Sequence, residues 1–357
     1  MLCRNRFLNH SRNEIAVVFA LVLTRAFFKG FAIKRILFAT CALLLGCFGI
    51  APVAATAADF PDRPVRLIVP YPTGGSVDFI ARLVAMQLSE VWGQTVVVDN
   101  RGGASGMIGS SAVAKAKPDG YMLLLGGVQT HAMNSGVIKS MPYDPIKDFT
   151  PISQTTRANW VLVASPKRNV KTPTELIALI RAQPGKITFG SSGNGSAAHL
   201  AFAMLSSELG IQVVHVPYKG IGQAITDVLS GQVDLVMGDQ STLIPHIAAG
   251  KLITIAMTGN VRSSLLPGVP TLAETISPGF DVQAWQGIWG PPGMDPALVQ
   301  MINAGVLKAL SSPTLVEKMK ASGVDSTPTP VLQFDKFTKS EFDRWTGAAR
   351  KANITPE

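Results

Sequence analysis

Val65-Arg66-Leu67-Ile68-Val69-Pro70-Tyr71-Pro72-Thr73-Gly74-Gly75-Ser76-Val77-Asp78 reads as a strand, a tight small-residue turn and the start of a helix. The aliphatic run Val65–Val69 has the length and branching of a buried strand. Pro70 and Pro72 end it, and Gly74-Gly75 permits a turn whose backbone stands uncovered. Apolar residues then recur at helical spacing from Val77 to Val91. Ser76 suits the helix cap and Asp78 its first turn. A helix entered this way presents unpaired backbone N–H groups at its positive end, a setting for an anion. By itself the stretch reads equally well as a capped helix with no ligand.

A second stretch repeats the design. Ile187-Thr188-Phe189 leads into Gly190-Ser191-Ser192-Gly193-Asn194-Gly195-Ser196 and on into a helix. Its seven Gly, Ser and Asn residues offer hydroxyl, amide and backbone donors with no charge, which favours reversible binding of a carboxylate. The alternative, a flexible linker, fits poorly between a strand and a helix set so close. Two such turns in separate parts of one chain suggest a cleft that holds an anion from both sides.

The 32 Lys and Arg against 23 Asp and Glu give a formal charge of +9. Seven of those bases and one acid lie in residues 1–58, so the remainder carries +3 and no basic, aromatic-rich run. That balance excludes a nucleic-acid footprint. Lys34-Arg35, the apolar run Ile36–Ile50 and the small residues Ala54–Ala58 read as an export signal, too short to span a membrane. Residues 1–33 form an extension before it. Lipid anchoring through Cys47 is the less favoured reading. All three cysteines (Cys3, Cys41, Cys47) lie in this segment, so the exported chain has no thiol chemistry, thiolate metal site or disulfide.

Beyond residue 58 strand and helix patterns alternate. Strands are expected at Val65–Val69, Thr95–Val98, Tyr121–Leu125, Trp160–Ala164, Ile187–Phe189, Val213–Val216, Val233–Met237 and Leu252–Met257. Helices are expected between them, one of them capped by Thr172-Pro173. The pattern turns mainly helical beyond Trp289. Such alternation predicts parallel sheets flanked by helices. Breaks at Pro142–Pro151 and Leu266–Pro278 divide the chain into residues 59–151 plus 263–357 as one domain and 152–262 as the other. The chain then crosses twice between domains, and both small-residue turns stand at carboxyl ends of strands, where ligands bind.

Other motifs carry less. Gly103–Gly109 has the Gly-x-x-Gly-x-x-Gly spacing of some NAD-dependent enzymes, but Asp119 sits in a turn where a ribose-binding acid should end a strand. Tyr143 and Lys147 mimic a catalytic pair with Pro145 between them, which opposes a shared helix face. The histidines show no metal-ligand spacing, Ser192 has no evident His/Asp relay, and no Gly-x-Ser-x-Gly elbow occurs. No cofactor or metal is called for. His199, three residues after Ser196, reads mainly as a packing residue.

Taken together, Tyr71–Asp78, Asp99-Asn100-Arg101 before Gly103–Gly109, Lys117–Tyr121, Met141–Pro145, Gly190–Ser196 with His199, His215–Gly220 and Gly231–Asp234 resemble the Bug family. These are the periplasmic substrate-binding receptors of tripartite tricarboxylate transporters. The resemblance runs from about Phe60 to the C-terminus. It implies an α/β fold of the two-domain periplasmic-binding type (type II-like), each domain a mostly parallel sheet flanked by helices, with the ligand in the interdomain cleft. It also implies a monomeric, periplasmic, non-enzymatic receptor that binds a small carboxylate and delivers it to membrane permease subunits. The matching positions for ligand binding are Tyr71, Thr73, Gly74, Gly75, Ser76 and Asp78, then Ser191, Ser192, Asn194, Gly195 and Ser196, with Tyr218 and Asp239 on the rim. Thr73 replaces the family's usual proline, and Gly238-Asp239-Gln240 replaces Phe-Asp-Asn, a change expected to enlarge the pocket. An exported hydrolase or NAD-dependent enzyme, and a ligand-loaded partner of a two-component sensor, are the competing expectations.

Overall fold

β1 (Val65–Val69) is buried on both faces: Val65, Leu67 and Val69 enter one apolar cluster and Ile68 the other. That double burial is why the run is aliphatic without polar alternation. α1 (Ser76–Trp92) buries Ile80, Ala81, Val84, Ala85 and Leu88 along one stripe and stops at Gly93, whose φ of 65° no branched residue adopts cheaply. The computed structural model describes residues 60–351 with 353, 354 and 356. The export-signal reading of residues 1–58, Cys47 included, falls outside the described residues.

β2 (Val96–Asn100), α2 (Met107–Ala114) and β3 (Met122–Gly127) follow, and β1 lies between β2 and β3, parallel to both. A π-type turn at Gln129–Met133 leads into the single-turn helix α3 (Asn134–Val137). β4 runs unbroken over Thr150–Ala164. Only its last five residues were expected from the sequence, because Pro151 argues against a strand. Pro151 sits where the pairing register slips between Pro151 and Ser153, an irregularity that removes the need for its missing N–H.

α4 (Pro173–Ala182) begins as predicted, with Thr172 Oγ1 accepting from Glu175 N–H. Next come β5 (Thr188–Ser191), α5 (Ala197–Leu209), β6 (Val214–Pro217), α6 (Ile221–Ser230), β7 (Leu235–Asp239), α7 (Gln240–Ala248) and β8 (Ile253–Met257). β7 starts later than expected because Asp234 turns its carboxylate to Thr188, accepting from N–H at 2.8 Å and from Oγ1 at 3.0 Å. The chain then forms α8 (Leu272–Thr275), β9 (Gln283–Gly290), α9 (Pro296–Leu310), α10 (Pro313–Ala321), β10 (Asp325–Ser326) and α11 (Val331–Lys351).

The strands order as β2-β1-β3-β9-β4-β7-β5-β6, with β8 and β10 also on β4. The outer strands of each half are parallel, whereas β9 and β4 in the middle run antiparallel to each other and to their neighbours. β4 belongs to both halves: Thr150–Asn159 pairs with β9, and Trp160–Ala164 pairs with β7. α11 closes the join, where buried Glu341 accepts from the indoles of Trp285 (2.8 Å) and Trp345 (3.0 Å).

Candidate functional site

The turn after β1 is held from below. Asp78 is buried, accepts from Gly74 N–H at 2.9 Å and pairs with Arg82 at 3.0 Å. The Gly74 N–H leads in holding its carboxyl below the usual carboxylate range, with Arg82 adding to it against the cost of burial. Arg82 donates to Asn100 Oδ1, and Asn100 Nδ2 donates to the carbonyl of Tyr71. Asp78 therefore shapes the turn. Gly74 has φ +85°, a conformation that favours glycine.

Ser76 is not the cap that the sequence suggested. Gly75 occupies that position without a side-chain bond, and Ser76 is the first helical residue. Phe79 N–H is the first to bond back, to Gly75 O at 3.0 Å. The preceding N–H groups of Ser76, Val77 and Asp78 thus remain at the open end of a 17-residue helix. Thr73, Gly74, Gly75 and Ser76 are all exposed, while Tyr71 is half-buried and its phenol is pushed up by desolvation.

The glycines at 102–109 support this turn. A Cβ on Gly102 would stand 2.9 Å from Pro72 N, and one on Gly109 would stand 2.9 Å from Pro70 Cα. Their spacing lets α2 close on the Pro70–Pro72 backbone, which accounts for the dehydrogenase-like pattern without a dinucleotide. Asp119 pairs with Arg63 at 3.2 Å, and Tyr143 donates to Thr130 O.

The second turn is also largely self-engaged. Ser191 is fully buried, and its hydroxyl accepts from Gly193 N–H (3.1 Å), donates to Gly193 O (3.0 Å) and lies 2.6 Å from His215 Nε2. Ser196 caps α5, and His199 Nδ1 accepts from Gly195 N–H at 3.1 Å. Gly195 is buried against Val137 of α3. Ser192 and Asn194 are exposed. Tyr218 lies beneath the turn and donates to Asp227 Oδ2 at 2.6 Å; burial first, and then Asp227, pushes its phenol up to about 12.

A cleft joins the halves, lined by Ser76, Asn159, Asp239, Gln240, Gln286 and Ser322 among others. It brings together Ser76 and Asp239 of the predicted set. Tyr71 and the residues of the second turn are not in its lining, so the structure does not assemble the two turns into this one cleft. Asp239 is exposed to the cleft at the end of β7, and Trp160 Nε1–H donates to its Oδ1 at 2.9 Å. The concave protein surroundings push its carboxyl above the usual range, against the Trp160 bond. A Cβ on Gly238 would meet Leu243 and Ile221 at 3.4 and 3.6 Å, neither of which lines the cleft.

Asn159, Gln286 and Ser322 were not singled out from sequence. Asn159 and Gln286 lie among other polar and small residues of β4 and β9, such as Thr156 and Gln283, so no local signal sets them apart. Among the described residues no group of three or more His, Cys, Asp or Glu is placed to hold a metal ion.

Two α/β lobes that share central antiparallel strands and face each other across a cleft are the build of a solute-binding receptor. The chain belongs to the family described as tripartite tricarboxylate transporter family receptor, which it matches over residues 80–354. It is 36% identical to protein BugT of Bordetella pertussis, over 88% of this chain and 97% of that one. A solved R. palustris protein with adipate is 33% identical, with a TM-score of 0.70 over 84% of this chain and 100% of the other. MatC from Rhodopseudomonas palustris, with bound malate, is 28% identical, with a TM-score of 0.65 over 81% and 100%. The resemblance seen in the motifs holds, and the chain is a receptor of the periplasm rather than an enzyme.

Proposed function

We propose that the cleft between the lobes binds a small carboxylate, and that the loaded receptor delivers it to the permease subunits of a tripartite transporter. The open N-terminus of α1 carries this reading: unpaired N–H groups and Ser76 face a cleft whose other polar groups are almost all neutral. Such a site holds an anion reversibly, because no cation has to be desolvated or released. Relatives solved with adipate and malate support the ligand class.

The ligand-binding set is Tyr71, Thr73, Gly74, Gly75, Ser76, Ser192, Asn194 and Asp239, while Asp78, Ser191, Gly195, Ser196 and Tyr218, expected there from the sequence, act by holding the two turns in shape. Ser192 and Asn194, exposed on the second turn, join the site if the lobes close further. Two lobes are formed, close to residues 59–151 with 263–357 for one and 152–262 for the other, except that the change of partner along β4 at Trp160 assigns residues 152–159 to the first lobe. The receptor acts as a monomer and is exported by its N-terminal signal.

Thermal unfolding of the purified protein against mono-, di- and tricarboxylic acids tests the reading. A ligand held only by the folded state raises the melting temperature, by about 2.7 kcal/mol of added stability at 100-fold excess over Kd. No shift across the panel, with no acid co-purifying, overturns it.

A further inference from the structure

Resting on the carboxylate reading, the floor of the cleft offers one group to the rest of the ligand. Side chains along β9 alternate. Trp285 turns to α11 and donates to Glu341 at 2.8 Å, and a Cβ on Gly287 would stand 2.1 Å from Phe334 of the same helix. Ala284 and Gln286 take the opposite face and line the cleft. Their partners on β4 are Ala158 and Thr156. The two alanines end at a methyl, so Gln286 is the long side chain of this floor.

Gln286 is held in one orientation. Thr156 is fully buried, and its hydroxyl donates to Gln286 Oε1. Gln286 itself stays partly exposed, and its Nε2 donates to none of the described residues. The other amides of the lining are spent: Asn159 Nδ2 donates to Val261 O at 2.9 Å, and Gln240 Nε2 donates to Asn159 O at 3.2 Å. Gln286 Nε2 is thus the one side-chain amide nitrogen of the described lining without a protein acceptor. Satisfying the Thr156 hydroxyl needs only an oxygen from Gln286 and gives the open nitrogen no role.

An amide held by its oxygen presents N–H donors and no acceptor. It answers a carboxylate or ketone oxygen, gains nothing from a methyl, and sets donor against donor when it meets an ammonium. We infer that Gln286, locked by Thr156, selects the second group of the ligand: an oxygen acceptor such as a second carboxylate, in preference to a methyl or an ammonium.

Calorimetric titration of the full chain with acids that differ only at the far end tests this. One series is succinate, butyrate and 4-aminobutyrate; the other is adipate, hexanoate and 6-aminohexanoate. In the series whose length fits, the dicarboxylate is expected to bind at least about tenfold tighter than either companion. Gln286→Leu is expected to bring the dicarboxylate to within about threefold of the monocarboxylate. Gln286→Glu, which puts an acceptor in place of the donors, is expected to favour the amino acid over the dicarboxylate. Thr156→Val, outside the cleft lining, frees the amide to turn and is expected to shrink the dicarboxylate preference while Gln286 is intact. A wild type without that preference, or a preference undiminished in Gln286→Leu, overturns the inference and leaves the carboxylate reading standing. Binding of none of the six acids overturns both. If Gln286→Leu does not fold, Gln286→Glu decides, and a ranking there equal to wild type overturns the inference.

Discussion

His199 and His215 lie face to face beneath the second small-residue turn, ring centroids 3.7 Å apart and planes within 9° of parallel. Each ring holds one point of that turn: His199 Nδ1 takes Gly195 N–H, and His215 Nε2 meets Ser191 Oγ. A nitrogen that accepts from a backbone N–H cannot be protonated without losing the bond, and two stacked imidazolium rings repel. Burial pushes His199 down, and burial with His199 alongside pushes His215 down to about 4. In the unfolded chain both titrate near 6.5. Between these values the unfolded state binds more protons, so stability is complete above about pH 6.5 and is lost as pH falls toward about 4. His131, buried against Trp289 and pushed down to about 3, adds in the same direction. The melting temperature should fall over that pH range, and His199→Gln should flatten the fall while its amide oxygen still accepts from Gly195. An unchanged slope removes the pair from the account.

Gly75→Val tests the first turn. Gly75 has φ −81° and ψ 169°, an extended conformation open to any residue. The nearest atom to a Cβ there is Pro72 O at 3.8 Å, an ordinary contact. The fold should therefore survive, with stability changed by less than about 1 kcal/mol. The branched side chain would stand over the α1 N–H groups, and carboxylate affinity should drop at least tenfold in calorimetry. Unaltered affinity would remove this turn from the site.

Gly195→Ala tests the contact between the halves. Its φ of +68° disfavours any side chain, and a Cβ would lie 2.9 Å from a methyl carbon of Val137. The substitution should destabilise by about 2 kcal/mol in denaturant unfolding. Adding Val137→Ala relieves the clash but not the dihedral strain, so the double variant should recover only part of the loss. Strict additivity of the two substitutions would show that the residues do not interact.

Asp234→Ala tests the join of β5 to β7. The buried carboxylate satisfies Thr188 N–H and Oγ1 and pairs with Arg168. Its removal leaves a backbone donor and a half-exposed guanidinium without partners, at a cost of about 3 kcal/mol. The melting temperature should fall by several degrees with ligand preference unchanged, since Asp234 lies outside the cleft lining. A change of preference would link this buried pair to the site.

How far the sequence could be read depends on where each signal lies. The helix expected to follow Gly190–Ser196 is present as Ala197–Leu209, capped by Ser196 and ended by Gly210 in a left-handed conformation. The Thr172-Pro173 start was equally plain. β9 was not foreseen: Gln283-Ala284-Trp285-Gln286-Gly287 mixes polar and small residues, and its glycine exists to let Phe334 approach, at 2.1 Å from where a Cβ would be. The same limit applies to Gly103–Gly109, whose spacing resembled a nucleotide motif and instead lets one backbone pass close to another.

Local patterns of hydrophobicity, caps and turn residues determined the alternating elements, the two small-residue turns and the family, because each depends on neighbours within a few residues. Tertiary structure alone decided which donors stay free. Ser191, Ser196, Asp78 and Tyr218 look like ligand groups in sequence, yet folding engages each of them within the protein. Ser76, Asp239, Asn159 and Gln286 meet at one cleft only because β4 and β9 carry the chain between the lobes, and hydrogen-bond satisfaction and charge balance depend on partners brought together from far apart in the chain.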